Sequence, residues 1–183
     1  MRMNKIITTI IMLLSTLGFA QDETAKQVLD KLSKKTEAYQ NITIDFKFIW
    51  ENKNQNIQKI EFGNLILEGD KFQLRMDNQI IINNGKTQWI YLIDMNELQI
   101  MDHDPRDNII SPNKIFTIYK EDYKYSYVGV DKNNDGEQQH IIELFPKVRN
   151  QFMKFNIAIN ASSNELERVT MHDKNGGIFS YMV

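Results

Sequence analysis

The chain contains no cysteine at all. That excludes disulfides, thiolate metal sites, cysteine nucleophiles and any lipid anchor attached through cysteine. Proline is scarce, at three in 183 residues, and histidine equally so. Three histidines spread over the chain leave little scope for an imidazole metal cluster. Charge of one sign is also missing, because 22 basic residues face 24 acidic ones. A net charge of −2 provides no basic field for nucleic acid. Neither a Gly-x-Ser-x-Gly elbow, nor a phosphate-binding glycine loop, nor a dinucleotide fingerprint occurs. The residues therefore give no positive support for an enzyme and call for no cofactor.

One apolar run stands apart from the rest. Arg2 and Lys5 precede Ile6 to Leu17, and Gly18-Phe19-Ala20 follows as a small-x-small site. Such a run is short for a membrane span and has the three-part form of a signal peptide, predicting cleavage after Ala20. Residues 1–20 would be removed, and 21–183 would form a single exported domain. Losing Arg2 and Lys5 takes the net charge from −2 to −4.

In residues 23–39, Ala25, Val28, Leu29, Leu32 and Tyr39 form one apolar stripe, which predicts an amphipathic helix lying over a sheet. Ile42, Ile44, Phe46, Phe48 and Trp50 then recur at every second position, the signature of a half-buried strand. From Gly63 to Tyr91, short apolar runs are separated by Glu68-Gly69-Asp70, Asp77-Asn78 and Asn83-Asn84-Gly85-Lys86. This reads as antiparallel strands joined by tight turns, with Asn84-Gly85 suited to a type I′ turn. Trp89 to Ile93 and Leu98 to Met101 extend the meander. Further strands are predicted over Tyr123–Val130, Gln139–Phe145, Phe152–Ile159, Leu166–His172 and Ile178–Val183. Between the two groups, Ser111-Pro112 begins a short apolar patch of Ile115, Phe116, Ile118 and Tyr119, suited to a helix that needs an apolar surface beneath it. The expected fold is mainly β (α+β): a strongly curved antiparallel sheet or incomplete β-barrel of about eleven strands with a helical lid.

Two polar stretches invite a metal reading. Asp131-x-Asn133-x-Asp135-Gly136 resembles the first half of a calcium loop, but position twelve is Ile142, not a bidentate Glu. Asp102-His103-Asp104 with Asp107 gathers oxygen and imidazole groups, without a second histidine at ligand spacing. A hairpin turn and a solvated loop account for them, and no metal is expected. What stands out instead is the aromatic set Phe46, Phe48, Trp50, Phe72, Trp89, Tyr91 and Phe116. A half-closed sheet whose interior is left partly hollow holds apolar ligands.

Several motifs together resemble the periplasmic outer-membrane lipoprotein carrier proteins, the LolA family, in its Bacteroidetes-like form. They are AKQVLDKLSKKTEAYQNITIDF, Gly63-Asn-Leu65-Ile-Leu67 followed by Lys71-Phe72, Asn84-Gly-Lys-Thr-Gln-Trp89-Ile-Tyr91, and Ile110-Ser-Pro-Asn-Lys-Ile-Phe116 with Tyr119. The resemblance implies a monomeric, non-enzymatic carrier. It would take triacylated lipoproteins from an inner-membrane ABC transporter across the periplasm to an outer-membrane acceptor. Acyl chains would lie on Ile44, Phe46, Phe48, Trp50, Leu65, Leu67, Phe72, Leu74 and Trp89, under a lid of Ile115, Phe116 and Ile118. Two departures are visible. Proteobacterial members hold the lid with an arginine just before the third strand, where this chain has Glu68-Gly69-Asp70. The family's chains also continue past the strand ending at Val183, which implies a further segment or a different closure. The rival readings are a periplasmic sensor sharing the fold, and a metal-dependent hydrolase using the Asp102–Asp107 loop.

Overall fold

The computed structural model describes residues 23–102, 112–120, 123–148 and 151–183. The predicted signal peptide lies outside the described residues, as does most of the Asp102–Asp107 loop.

Helix α1 occupies residues 23–37. Its stripe of Ala25, Val28, Leu29 and Leu32 is buried, as the three- and four-residue spacings require. At the margin of this stripe Lys26 and Asp30 pair at 2.7 Å, one turn apart.

The strands are β1 (Ile42–Asn52), β2 (Ile57–Glu68), β3 (Lys71–Met76), β4 (Gln79–Asn83), β5 (Thr87–Leu92), β6 (Glu97–Asp102), β7 (Tyr123–Lys132), β8 (Gln138–Pro146), β9 (Phe152–Asn160), β10 (Leu166–Asp173) and β11 (Gly177–Met182). They form one eleven-stranded antiparallel sheet in the order β6-β5-β4-β3-β2-β1-β11-β10-β9-β8-β7. Each strand thus pairs with its chain neighbour, except that β1 and β11 join in the middle. Two hairpin meanders become one sheet through that single non-local pairing. The sheet is not closed: β6 and β7 are its edges.

Residues directly opposite one another in an antiparallel pair point to the same face, so the register assigns each side chain. Ile44 faces Leu65, Leu65 faces Leu74, and Leu74 faces Ile81. This inner face joins α1 in one apolar core, which includes Phe46, Leu67, Phe72, Phe155 and Ile157. Gly63 sits within it for a steric reason: the Phe46 ring lies across it, and an added Cβ would also stand 2.8 Å from the Arg75 carbonyl oxygen.

Two local expectations are corrected. The β4–β5 connection is not a type I′ turn, because only Gly85 has positive φ (87°) while Asn84 does not. Instead the Asn84 side-chain oxygen accepts from the backbone N–H groups of Lys86 and Thr87, at 3.0 and 2.9 Å, closing an Asx-type loop. The lid is not a regular helix. It forms two short 3₁₀ turns, Pro112–Phe116 and Ile118–Lys120. A segment this short gains too few α-helical bonds to offset nucleation, and it is fixed by burying Phe116 and Tyr119 instead.

Replacing Gly63 with Ala should lower stability by about 1–3 kcal/mol through overpacking against Phe46 and the β3 backbone. Urea unfolding measures this, and a midpoint equal to that of the parent chain would contradict it.

Candidate apolar-ligand site

The inner face has two zones. In the first, Phe46, Leu65, Leu67 and Phe72 are buried in the core that α1 and the lid residues Phe116 and Tyr119 complete. In the second the floor is only half covered. Phe48 stands opposite Tyr181 and Trp50 opposite Phe179 across the β1–β11 pairing. The register continues from Tyr181 to Val169 and from Phe179 to Met171. Trp50 and Phe179 stack with ring centroids 6.2 Å apart and planes 4° from parallel. Phe48 lies 4.9 Å from Tyr181, and Phe152 meets Phe179 edge-on at 6.2 Å. Phe48, Trp50, Met171, Phe152, Phe179 and Tyr181 are all half-buried. Together they make a continuous apolar strip that the protein's own helix leaves partly open.

One end of this strip is charged. Glu61 stands opposite Phe48 and Lys59 opposite Trp50, so both carry their side chains on the inner face. The Glu61 carboxylate is 6% exposed and forms an ion pair with Lys59. Pairing is what makes a buried carboxylate tolerable. Burial, with the Glu61 charge nearby, pushes the Tyr181 hydroxyl above its ordinary pKa and keeps it neutral.

Of the residues expected to form the site, Ile44, Phe46, Phe48, Trp50, Leu65, Leu67, Phe72 and Leu74 do share the inner face, and Ile115, Phe116 and Ile118 belong to the same cluster. Trp89 does not. The pairings Leu74–Ile81 and Ile81–Ile90 assign Ile90 to the inner face, leaving Trp89 with Ile82 on the outer one. Alternation along β5 forbids both residues facing inward. Phe179, Tyr181, Met171 and Phe152 were not anticipated. A signal for two of them exists: Phe179-x-Tyr181 repeats the two-residue aromatic spacing of Phe48-x-Trp50. The calcium-like stretch is a hairpin loop, in which the Asn133 side-chain oxygen accepts from the Asp135 and Glu137 amides at 3.1 and 2.8 Å.

The lid is held by α1. The Tyr119 hydroxyl donates to Asp30 Oδ1 at 2.7 Å, and Lys120 Nζ donates to Glu37 Oε1 at 2.9 Å. Asp30 also accepts from Lys26, and these two hydrogen bonds, Lys26's the larger, draw its carboxyl below the usual range. Burial and the Asp30 bond raise the Tyr119 hydroxyl far above neutrality, so it stays a donor throughout the physiological range.

The family model of the outer membrane lipoprotein carrier protein LolA matches residues 14–174. This chain belongs to the LolA family. No curated relative matches the sequence. Among solved structures it is similar to an uncharacterized conserved protein from Thermus thermophilus, with 12% identity over 87% of this chain and 84% of that one, at TM-score 0.54. It is also similar to a DUF1329 family protein from Desulfovibrio piger, with 10% identity, 88% and 90% coverage, and TM-score 0.50. A putative outer membrane lipoprotein-sorting protein domain from Vibrio parahaemolyticus is a weaker likeness, at 13% identity, 83% and 73% coverage, and TM-score 0.48. At such identities the first two likenesses bear on the fold alone.

Where the resemblance places a latching arginine, this LolA-family chain has Glu68-Gly69-Asp70, as the sequence already showed. Tyr119–Asp30 and Lys120–Glu37 connect the lid to α1 instead. The first is a charge-assisted bond that is partly open to water, worth about 1 kcal/mol after screening. Tyr119→Phe should therefore raise amide exchange across residues 112–120 about fivefold, and an unchanged rate would remove this bond from the latch. The Lys26 bond lies within α1 and outlasts lid opening, so the pH response follows only from the Tyr119 share of the lowered Asp30 pKa. A depressed carboxyl contributes fully above the unfolded value of about 4 and loses its contribution as pH falls through the lower folded value. After correction for intrinsic exchange, lid opening should be flat from about pH 6 to 8 and accelerate only below about pH 4.

Proposed function

We propose that this protein is a periplasmic carrier that shields the acyl chains of lipoproteins between an inner-membrane ABC transporter and an outer-membrane acceptor. The observation that carries the reading is the half-covered strip of Phe48, Trp50, Phe152, Phe179 and Tyr181 on the inner face of an unclosed sheet. Membership of the LolA family gives it context.

The energetics require such a surface. Each methylene moved into water costs about 0.8 kcal/mol, so one chain of roughly fourteen carbons resists leaving a bilayer by on the order of 10 kcal/mol. An apolar surface already assembled in the carrier offsets that cost without chemistry. The strip gives the first carbons a landing place. Leu65, Leu67 and Phe72 share their buried cluster with α1 and with Phe116 and Tyr119, and the lid, the shorter of the two covers, is the element through which the cavity would enlarge. Energy for extraction would be spent in the transporter, and this chain needs no nucleotide site of its own. The Lys59–Glu61 pair marks the polar end of the strip, where the lipid's polar head would remain.

The test uses spheroplasts of the native host, depleted of this protein and supplied with residues 21–183. Lipoproteins should appear in the supernatant in a defined complex with the added chain. Phe48→Asp should reduce that release at least tenfold while far-ultraviolet circular dichroism stays the same. Absence of release with a folded chain and an active transporter, or release unaffected by Phe48→Asp, would refute the proposal.

A further inference from the structure

The sheet has two edges among the described residues, and the chain treats them differently. β7 carries Lys124 and Lys132, and its pairing with β8 is interrupted by a register shift between Tyr127 and Gly129. A bulge and edge lysines are the devices by which proteins prevent another strand from adding to a sheet. β6 has neither. It pairs with β5 through all six residues, Glu97 to Asp102, without a shift, and it contains no Lys, Arg or Pro. Every one of its residues is exposed.

The outer face beside this edge is apolar. Leu98 and Ile100, 55% and 63% exposed, stand opposite Tyr91 and Trp89. Tyr91 and Trp89 in turn stand opposite Ile80 and Ile82. Six apolar side chains thus cover three adjacent strands on the face away from α1 and the lid. Arg75 flanks the patch opposite Ile80, but along β5 and β6 the charge is one-sided. Between Thr87 and Asp102 lie Asp94, Glu97 and Asp102, and no basic residue.

We propose that β6 is a docking edge for an extended segment of a partner protein in which apolar and basic side chains alternate. The segment would add as a strand, with its backbone pairing with the edge of β6 that no other described strand occupies and supplying most of the affinity. Alternation then sorts its side chains. The apolar set extends the outer stripe of Leu98 and Ile100, and the basic set falls on the inner side, beside Glu97. A second copy of this chain fits less well. Two β6 edges would bring like charges together, and the β7 of another copy is bulged. The surface lies across the sheet from the aromatic strip, so the inference does not depend on the acyl-chain reading.

The test is fluorescence anisotropy of the full chain with labelled ten-residue peptides at about 0.15 M salt. The probes are an alternating valine–lysine peptide, an alternating valine–glutamate peptide, and a peptide of the valine–lysine composition arranged in blocks. The alternating valine–lysine peptide should bind at least tenfold more tightly than either other peptide. The double substitution Leu98→Lys and Ile100→Lys, at exposed positions that spare the core, should abolish the preference. Val130→Lys on β7 should leave it intact. Equal binding of the block peptide would reduce the effect to charge. That result would overturn the proposal. So would unchanged binding by the double variant, loss with Val130→Lys, no binding of any peptide, or self-association of the chain through β6.

Discussion

The pairing of β1 with β11 is the contact on which the rest of the structure depends. It runs from Lys47–Met182 to Asn52–Gly177 and joins strands at opposite ends of the chain. All other strand pairings are hairpins between sequence neighbours. Without it there are two separate meanders, each with an apolar face and an additional raw edge. With it, Phe48 and Trp50 meet Tyr181 and Phe179, and the half-buried strip comes into being at the seam. The site is therefore not a property of either half. Its chain-closure cost is spent once, and the core of Ile142, Leu144, Phe155 and Ile157 against α1 offsets it.

The lid completes this arrangement. Its two 3₁₀ turns have little helical stability of their own, and Phe116 and Tyr119 hold them by burial while Asp30 and Glu37 hold them by charge. Such a segment opens at a low cost compared with unfolding of the sheet, because few backbone hydrogen bonds are lost. The interior can thus be occupied in the empty protein by its own side chains and still be vacated. In this chain the latch belongs to the helix, and the sheet is left free to carry the apolar floor.

Much of this was legible in the residues, for a simple physical reason. A strand that buries one face must alternate, and β1 alternates cleanly from Ile42 to Trp50. The punctuation by Asn, Asp and Gly placed the turns for another reason: these residues accept positive φ or close a turn through the side chain. Face assignment failed at Trp89, since β5 has apolar residues at consecutive positions and only pairing with Ile81 and Ile82 decides which set turns inward. Phe179 and Tyr181 were hidden because their significance comes from a partner strand at the other end of the chain. The turn at Asn84-Gly85 was misjudged because the Asn84 side chain, and not a positive φ at that residue, closes the loop. The lid's existence could be read from its apolar patch. Its anchor could not, since Asp30 and Tyr119 are 89 positions apart.

The proposed function puts acyl chains on the inner face along the β1–β11 seam. The most direct measurement is photocrosslinking with a synthetic lipopeptide carrying a diazirine at the end of its acyl chain, followed by peptide mapping. Adducts are expected on Phe48, Trp50, Phe179 or Tyr181 and none on Trp89 or Ile82. Adducts concentrated on the outer face, or none above the level of a soluble diazirine control, would contradict the proposal.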